Sequence, residues 1–342
     1  MRRGDTHLVK SKNITLGGTS SITVQTMLKS HFYKYNTCYI SELMYRGCDI
    51  LRFSINGDYS KKDLQEFIKS SPLPLVIDIK SDISQAKVAL GGGIDAVRIN
   101  PALLSKQDIT EVFRIAKANN AIVRIGTNEG STHGKSAITL VIDTINLAES
   151  LGFKNIVTSI KASNSDETLS LNRELASLTA YPIHLGLTEA GGVVTSAVRS
   201  TVVLSKLLEE GIGSTIRYSM AGSETNEVEA ATELLSSLNL RRPHLHLVVC
   251  PSCARCTFIT EKFLEDVESE LYKITYYNKC YISVAIMGCP LNGIGEAKNA
   301  DFGISGNNIT AVIFKKGEIV EKCDAKNAKE AFLSVIKSSL SS

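Results

Sequence analysis

No apolar run in this chain of 342 residues approaches the roughly 20 residues that cross a bilayer, and Met1-Arg-Arg-Gly-Asp-Thr-His7 offers no hydrophobic signal core. No membrane segment is expected, and the cytoplasm is the expected compartment. Charge of one sign is also lacking: 38 Lys and Arg stand against 35 Asp and Glu, a net +3 too small to attract nucleic acid through the overall field. Any charged partner must be met by local clustering. The eight cysteines are too sparse for the disulfide frame of a small secreted domain. Cys38, Cys48, Cys280 and Cys323 lack mutual spacing and are expected as small buried apolar residues. A hydrophobic content of 43% allows a large core, and the length suggests more than one domain.

What is present is a regular alternation. Short β-branched or apolar runs begin at Ile22, Ile50, Leu75, Ala96, Ala121, Asn155, Pro182 and Thr215, and most gaps hold helix-period segments such as 109–118, 137–151 and 198–210. Eight β-α units are the count of a TIM (β/α)8 barrel; a doubly wound open sheet more often has five or six strands. Gly91-Gly92-Gly93 ends a helical segment and is expected as its C-terminal turn. Pro243, in Leu240-Arg-Arg-Pro-His244, breaks the pattern. The barrel is therefore expected over 1–242, followed by a small α+β domain over 243–342. That domain should hold strands into Cys250 and Cys289, a helix over 260–272, a hairpin turning at Lys316-Gly317 and a final helix from Ala325.

In a barrel of this kind the chemistry sits at the C-terminal ends of the strands. The polar residues closing the apolar runs form a ring: Gln25, Arg52 with Ser54, Asp78 with Lys80, Arg98 with Asn100, Arg124 with Asn128, Lys161 with Ser163, Glu189, and Arg217 with Ser219. Six cations at one mouth repel each other unless an anion sits among them or rim carboxylates pair with them. Four guanidinium forks and two ammonium groups suit a diphosphate. His184, inside an apolar run, is expected as a satisfied core histidine.

The last third carries Cys250-Pro-Ser-Cys253-Ala-Arg-Cys256 and Met287-Gly-Cys289-Pro-Leu-Asn-Gly-Ile-Gly-Glu296. Thiolates at the ends of two strands are what an iron-sulfur cluster or a zinc ion requires, and spacing alone does not separate the two.

The second of these segments closely resembles the cluster motif of the (E)-4-hydroxy-3-methylbut-2-enyl diphosphate synthase family of the non-mevalonate isoprenoid pathway. Val24-Gln-Thr-Met27, Val97-Arg-Ile-Asn-Pro101, Arg124-Ile-Gly-Thr-Asn128, Ser159-Ile-Lys-Ala-Ser163, His184-Leu-Gly-Leu-Thr-Glu-Ala-Gly-Gly192, Glu210-Gly-Ile-Gly213 and Cys250-Pro-Ser-Cys253 resemble its other signatures, in the same order. The resemblance spans nearly the whole chain. It implies a 4Fe-4S cluster held by Cys250, Cys253 and Cys289 with Glu296 on the fourth iron; the C-x-x-C-x-x-C run of residues 250–256 also resembles a ferredoxin's, which leaves Cys256 as an alternative fourth ligand although the matching position in the family is not one. It also implies reductive opening of 2-C-methyl-D-erythritol 2,4-cyclodiphosphate. The substrate would be bound by Arg52, Asp78, Lys80, Arg98, Asn100, Arg124, Asn128, Lys161, Ser163, Arg217, Ser219 and Asn292, with Glu189 as proton donor, or else as a structural ion-pair partner of a neighbouring Arg, and Glu296 exchanging with a substrate oxygen. Reduced flavodoxin or ferredoxin would donate the electrons, and the family works as a homodimer in which one subunit's cluster domain caps the other's barrel.

The pattern departs from the family at Asp78-Ile-Lys80, where a histidine is usual, and in residues 28–37, which lack a Thr-rich tract. A lysine at position 80 binds phosphate but is no neutral acid-base group near pH 7 without a large shift. Two other readings stay open on the residues: a phosphate-binding barrel akin to the pterin synthases with structural zinc, and a divergent iron-sulfur relative without turnover.

Overall fold

The computed structural model describes residues 2–128, 132, 136–254, 256, 258, 260–289, 295 and 297–340. The chain divides into two compact units, Met1–Arg241 and Arg242–Ser342.

The first unit holds the eight expected strands: β1 (Thr23–Met27), β2 (Ile50–Ser54), β3 (Leu75–Asp78), β4 (Ala96–Ile99), β5 (Ile122–Asn128), β6 (Ile156–Lys161), β7 (His184–Leu185) and β8 (Thr215–Ile216). All pair in parallel in the order β6-β5-β4-β3-β2-β1-β8-β7. An isolated Thr158–Ile183 bridge joins the two ends of the series. This is a (β/α)8 barrel.

Its helices are α1 (Thr37–Tyr45), α2 (Lys61–Ser70), α3 (Ile83–Gly91), α4 (Lys106–Ala118), α5 (Ala137–Ser150), α6 (Ser165–Leu178), α7 (Val193–Glu209) and α8 (Glu224–Ser237). Seven start at a short polar side chain that accepts a backbone N–H of the first turn: Asn36, Ser60, Asp82, Ser105, Ser136, Asn164 and Ser223. Helix α7 starts at Gly192 with no side-chain cap. The Gly91 to Gly93 tract does end α3, with Gly93 at φ +87°. Between strands and helices lies the main core, with Leu51, Phe53, Ile77, Val97, Val123 and Leu204 all fully buried.

A hairpin of Val9–Lys10 and Thr15–Leu16 covers the N-terminal ends of the strands. Val9, Ile14 and Leu16 pack there on Ile50, Val76, Ala96, Ile122 and Val157. Asp95 pins the hairpin, accepting from Ser11 Oγ at 3.0 Å and from the Asn13 backbone N–H at 3.0 Å. That end of the barrel is stoppered.

The second unit is a five-stranded sheet in chain order: β9 (Leu245–Val249), β10 (Ile282–Met287), β11 (Phe302–Gly306), β12 (Thr310–Lys315) and β13 (Glu318–Asp324). The first three strands run parallel and the last two antiparallel, with the hairpin turning at Lys316-Gly317 as expected. Helices α9 (Thr260–Tyr277) and α10 (Ala328–Leu340) cover one face through Phe263, Val267, Leu271, Phe332 and Ile336. Among the described residues, no helix is long and apolar enough to cross a membrane. Cys48 is buried, whereas Cys38 is exposed, against expectation: α1 buries Ile40 and Leu43, and Cys38 lies off that face.

Candidate functional site

Opposite the stopper, the strand ends enclose a recess of about 80 Å³ lined by Arg52, Arg98, Arg124, Thr127, Asn128, Ser159, Lys161, Thr188, Arg217 and Ser219. One water needs only about 10–15 Å³, so the space suits a small polar group rather than a single solvent molecule. The lining follows from the parallel register, which sets Asp78 beside Arg98, Arg98 beside Arg124 and Asn128 beside Lys161.

Five of the six anticipated cations come together here. Arg52 and Arg98 share Asp78, Arg52 through a very short contact and Arg98 at 3.1 Å. Burial alone would raise the Asp78 carboxyl, but the Arg52 and Arg98 guanidiniums outweigh it and hold it far below the usual carboxylate range. Arg217 pairs with Glu227 of α8 at 3.2 Å. Arg124, 5% exposed, donates to the neutral Gln25 amide oxygen at 2.8 Å. Lys161 has no partner among the described residues; burial first, then Arg217, Arg52, Arg124 and Arg98, push its amine well below the ordinary lysine range. Carboxylate pairing thus accounts for three cations and leaves two uncompensated.

Backbone close to these groups must be bare. A Cβ on Gly186 would lie 2.6 Å from Lys161 Nζ, and one on Gly126 would lie 3.0 Å from Arg98 Nε. Arg98 also donates to the Gly126 carbonyl at 2.8 Å.

The other anticipated residues stand differently. Lys80, two residues beyond the end of β3, is exposed, and so is Ser163. Asn100 is buried, its side chain accepting from the Ala102 N–H at 3.1 Å. Glu189 is exposed at φ +54°, beside Thr188 of the recess, and has no ion-pair partner among the described residues. His184 is fully buried, but only half satisfied: Nδ1 meets Thr215 Oγ1 at 3.3 Å and Nε2 has no partner among the described residues. Sequence reasoning missed Thr127, Ser159 and Thr188, which lie within the quoted motifs, and Glu227. The signal for Glu227 was its place in the first turn of the helix after β8.

In the second unit, parallel pairing of β9 with β10 sets Val249 beside Ile286, so Cys250 and Cys289 leave adjacent strands at the same end. Cys250 donates its N–H to the Ile286 carbonyl at 2.9 Å. Cys256 Sγ lies 4.0 Å from Cys250 Sγ and accepts the Cys253 N–H at 3.2 Å. Gly288 gives this sulfur room, since a Cβ there would come within 2.4 Å of it. Glu296 and Asn292 lie outside the described residues. Among the described residues no three His, Cys, Asp or Glu side chains form a metal-holding group. Cys250 and Cys289 at shared strand ends, with Cys253 following, are a soft donor set that fits an iron-sulfur cluster, and the approach of Cys256 Sγ to Cys250 Sγ keeps Cys256 in competition as a ligand.

Fold and recess define a (β/α)8 barrel with a cation-lined recess at the C-terminal ends of its strands. Solved barrels agree on the fold: Thermotoga maritima 3-deoxy-D-arabino-heptulosonate 7-phosphate synthase (truncated form) superposes with TM-score 0.51 at 12% identity, covering 69% of this chain and 91% of that one. Thermus thermophilus dihydropteroate synthase gives 0.50 at 13%, covering 68% and 99%.

The chain belongs to the GcpE family. The GcpE TIM-barrel domain matches residues 6–232 and the GcpE protein C-terminal domain matches residues 246–338. A relative from Natranaerobius thermophilus is 36% identical over 94% of this chain and 93% of its own length. One from Clostridium acetobutylicum is 35% identical over 96% and 97%. Both are named 4-hydroxy-3-methylbut-2-en-1-yl diphosphate synthase (flavodoxin).

Proposed function

We propose that this chain is an oxidoreductase that opens 2-C-methyl-D-erythritol 2,4-cyclodiphosphate reductively and removes a hydroxyl as water, giving (E)-4-hydroxy-3-methylbut-2-enyl diphosphate for isoprenoid synthesis. The observation that carries the reading is the excess of basic groups in the barrel mouth: four guanidiniums and the Lys161 amine against Asp78 and Glu227 among the described residues. The name borne by relatives of similar length supports it.

The first unit binds substrate. Arg52, Arg98, Arg124, Lys161 and Arg217 grip the diphosphate and neutralise the phosphate oxygen released as the ring C–O bond breaks. Asp78 and Glu227 keep three of the guanidiniums aimed, while Asn128 and Ser219 bond neutral oxygens. Glu189, free of ion pairs among the described residues, donates the proton that leaves with the hydroxyl.

The second unit holds the redox centre. Cys250, Cys253, Cys289 and Glu296 would hold a 4Fe-4S cluster, which supplies electrons one at a time. Reduced flavodoxin would supply the electrons, and two chains work as a homodimer.

The test is anaerobic reconstitution with iron and sulfide, then a dithionite-driven assay on the cyclodiphosphate. Formation of the allylic diphosphate, abolished by Glu296→Ala but not by Cys256→Ser, is the expected result. A zinc-loaded, sulfide-free protein, or a loaded protein that leaves the cyclodiphosphate intact, would overturn the reading.

A further inference from the structure

The cations of the mouth do not share its carboxylates evenly. Asp78 lies between Arg52 and Arg98, Glu227 takes Arg217, and Arg124 meets only a neutral amide. Lys161, closing β6, is 7% exposed, lines the recess and has no hydrogen-bond or ion-pair partner among the described residues. Facing it are Arg217 beyond β8, Arg52 of β2, Arg124 of β5 and Arg98 of β4, with His184 of β7 buried nearby and itself held neutral by burial and these same charges. The Gly186 backbone walls off another side. Guanidinium groups do not give up their proton in proteins, so the amine is the one cation here that can shed its charge.

We propose that Lys161 is neutral in the ligand-free mouth and takes up a proton as a diphosphate enters, so that anion binding and protonation of this amine are one coupled event. The inference rests on the diphosphate reading of the mouth. Burial and four guanidiniums disfavour the ammonium in the empty recess; an adjacent dianion reverses the balance. Because binding takes up a proton, affinity falls as pH rises through the window between the free and bound titrations. The substrate would thus arrive with a proton already placed beside the phosphate oxygen released by ring opening.

The full-length chain carrying lysine labelled with carbon-13 at Cε tests this directly, with inorganic diphosphate as the probe. One Cε resonance, assigned by its loss in Lys161→Met or in Lys161→Arg, should titrate below all others and move to the ammonium position when diphosphate is added near neutral pH. Calorimetry in buffers of different protonation enthalpy should show about one more proton taken up by the wild type than by Lys161→Arg, whose guanidinium is charged throughout. The proposal is overturned if the Lys161 resonance titrates with the exposed lysines near pH 10 or above, or if wild type and Lys161→Arg take up equal numbers of protons. A wild type with a low-titrating Lys161 that does not bind diphosphate refutes the diphosphate reading and the coupling with it, while leaving the neutral amine standing, so the two failures are told apart.

Discussion

Asp78 sits between the Arg52 and Arg98 guanidiniums, and its depressed carboxyl ties the mouth to the stability of the barrel. A carboxyl lowered on folding contributes stability that is fully present above its unfolded value, near pH 4, and is lost as pH falls through the folded one. Asp78→Asn leaves two buried guanidiniums unneutralised and should cost about 3–5 kcal/mol at neutral pH, read from urea unfolding. Its stability should also fall less steeply than the wild type's below about pH 4. Equal acid slopes would show that Asp78 is not the group being titrated. Glu227, with no exposed side-chain surface, holds Arg217 in the same way and also accepts from Thr26 Oγ1 at 2.8 Å. Glu227→Gln should therefore weaken diphosphate binding by misplacing Arg217, without removing any group that touches the ligand; an unchanged affinity would refute the positioning role.

The elements themselves were largely legible, because each barrel strand is a buried apolar run and most gaps between the runs hold helix-period segments. Where the structure differs, geometry explains it. Of the apolar runs that begin at Pro182 and Thr215, strands β7 and β8 keep only two residues each, His184 and Leu185 pairing with Thr215 and Ile216. Helix α7 starts at Val193, five residues before the expected segment 198–210; Val193 and Val194 in its first turn are exposed and Ser196 is the residue it buries there, so that turn carries no apolar periodicity to read. The cation ring could be read because strand ends are a fixed address in this fold. The partners could not: Glu227 comes from a helix, and pairing in space leaves no mark on spacing. Lys80 and Ser163 shared the strand-end address, yet each lies two residues past its strand and is exposed.

Two element-scale outcomes follow. Gly186→Ala should lower diphosphate affinity at least tenfold, measured by calorimetry, since its Cβ would displace Lys161 Nζ and press on the Arg217 carbonyl at 2.8 Å. Ser223→Ala removes the capping box that starts α8 and should cost about 1 kcal/mol. Because Glu227 rides on that same first turn, the loss of stability should come with weaker diphosphate binding.

At the scale of the molecule, an excess of buried positive charge makes the empty barrel the less stable form. Inorganic diphosphate at about 100 times its dissociation constant should add about 2.7 kcal/mol to the first unit, seen as a higher melting temperature. Rising salt should shrink the gain only partly, because a recessed anion is screened less than a surface one. Scanning calorimetry with and without diphosphate decides it, and a melting point that does not move would deny the mouth an anion. The barrel interior is filled by side chains and the hairpin packs on its N-terminal end, so the recess is reached from the C-terminal strand ends. Reactant and product must use the same doorway, so a departing diphosphate has to clear the passage before its successor arrives, and turnover inherits a queue from the architecture.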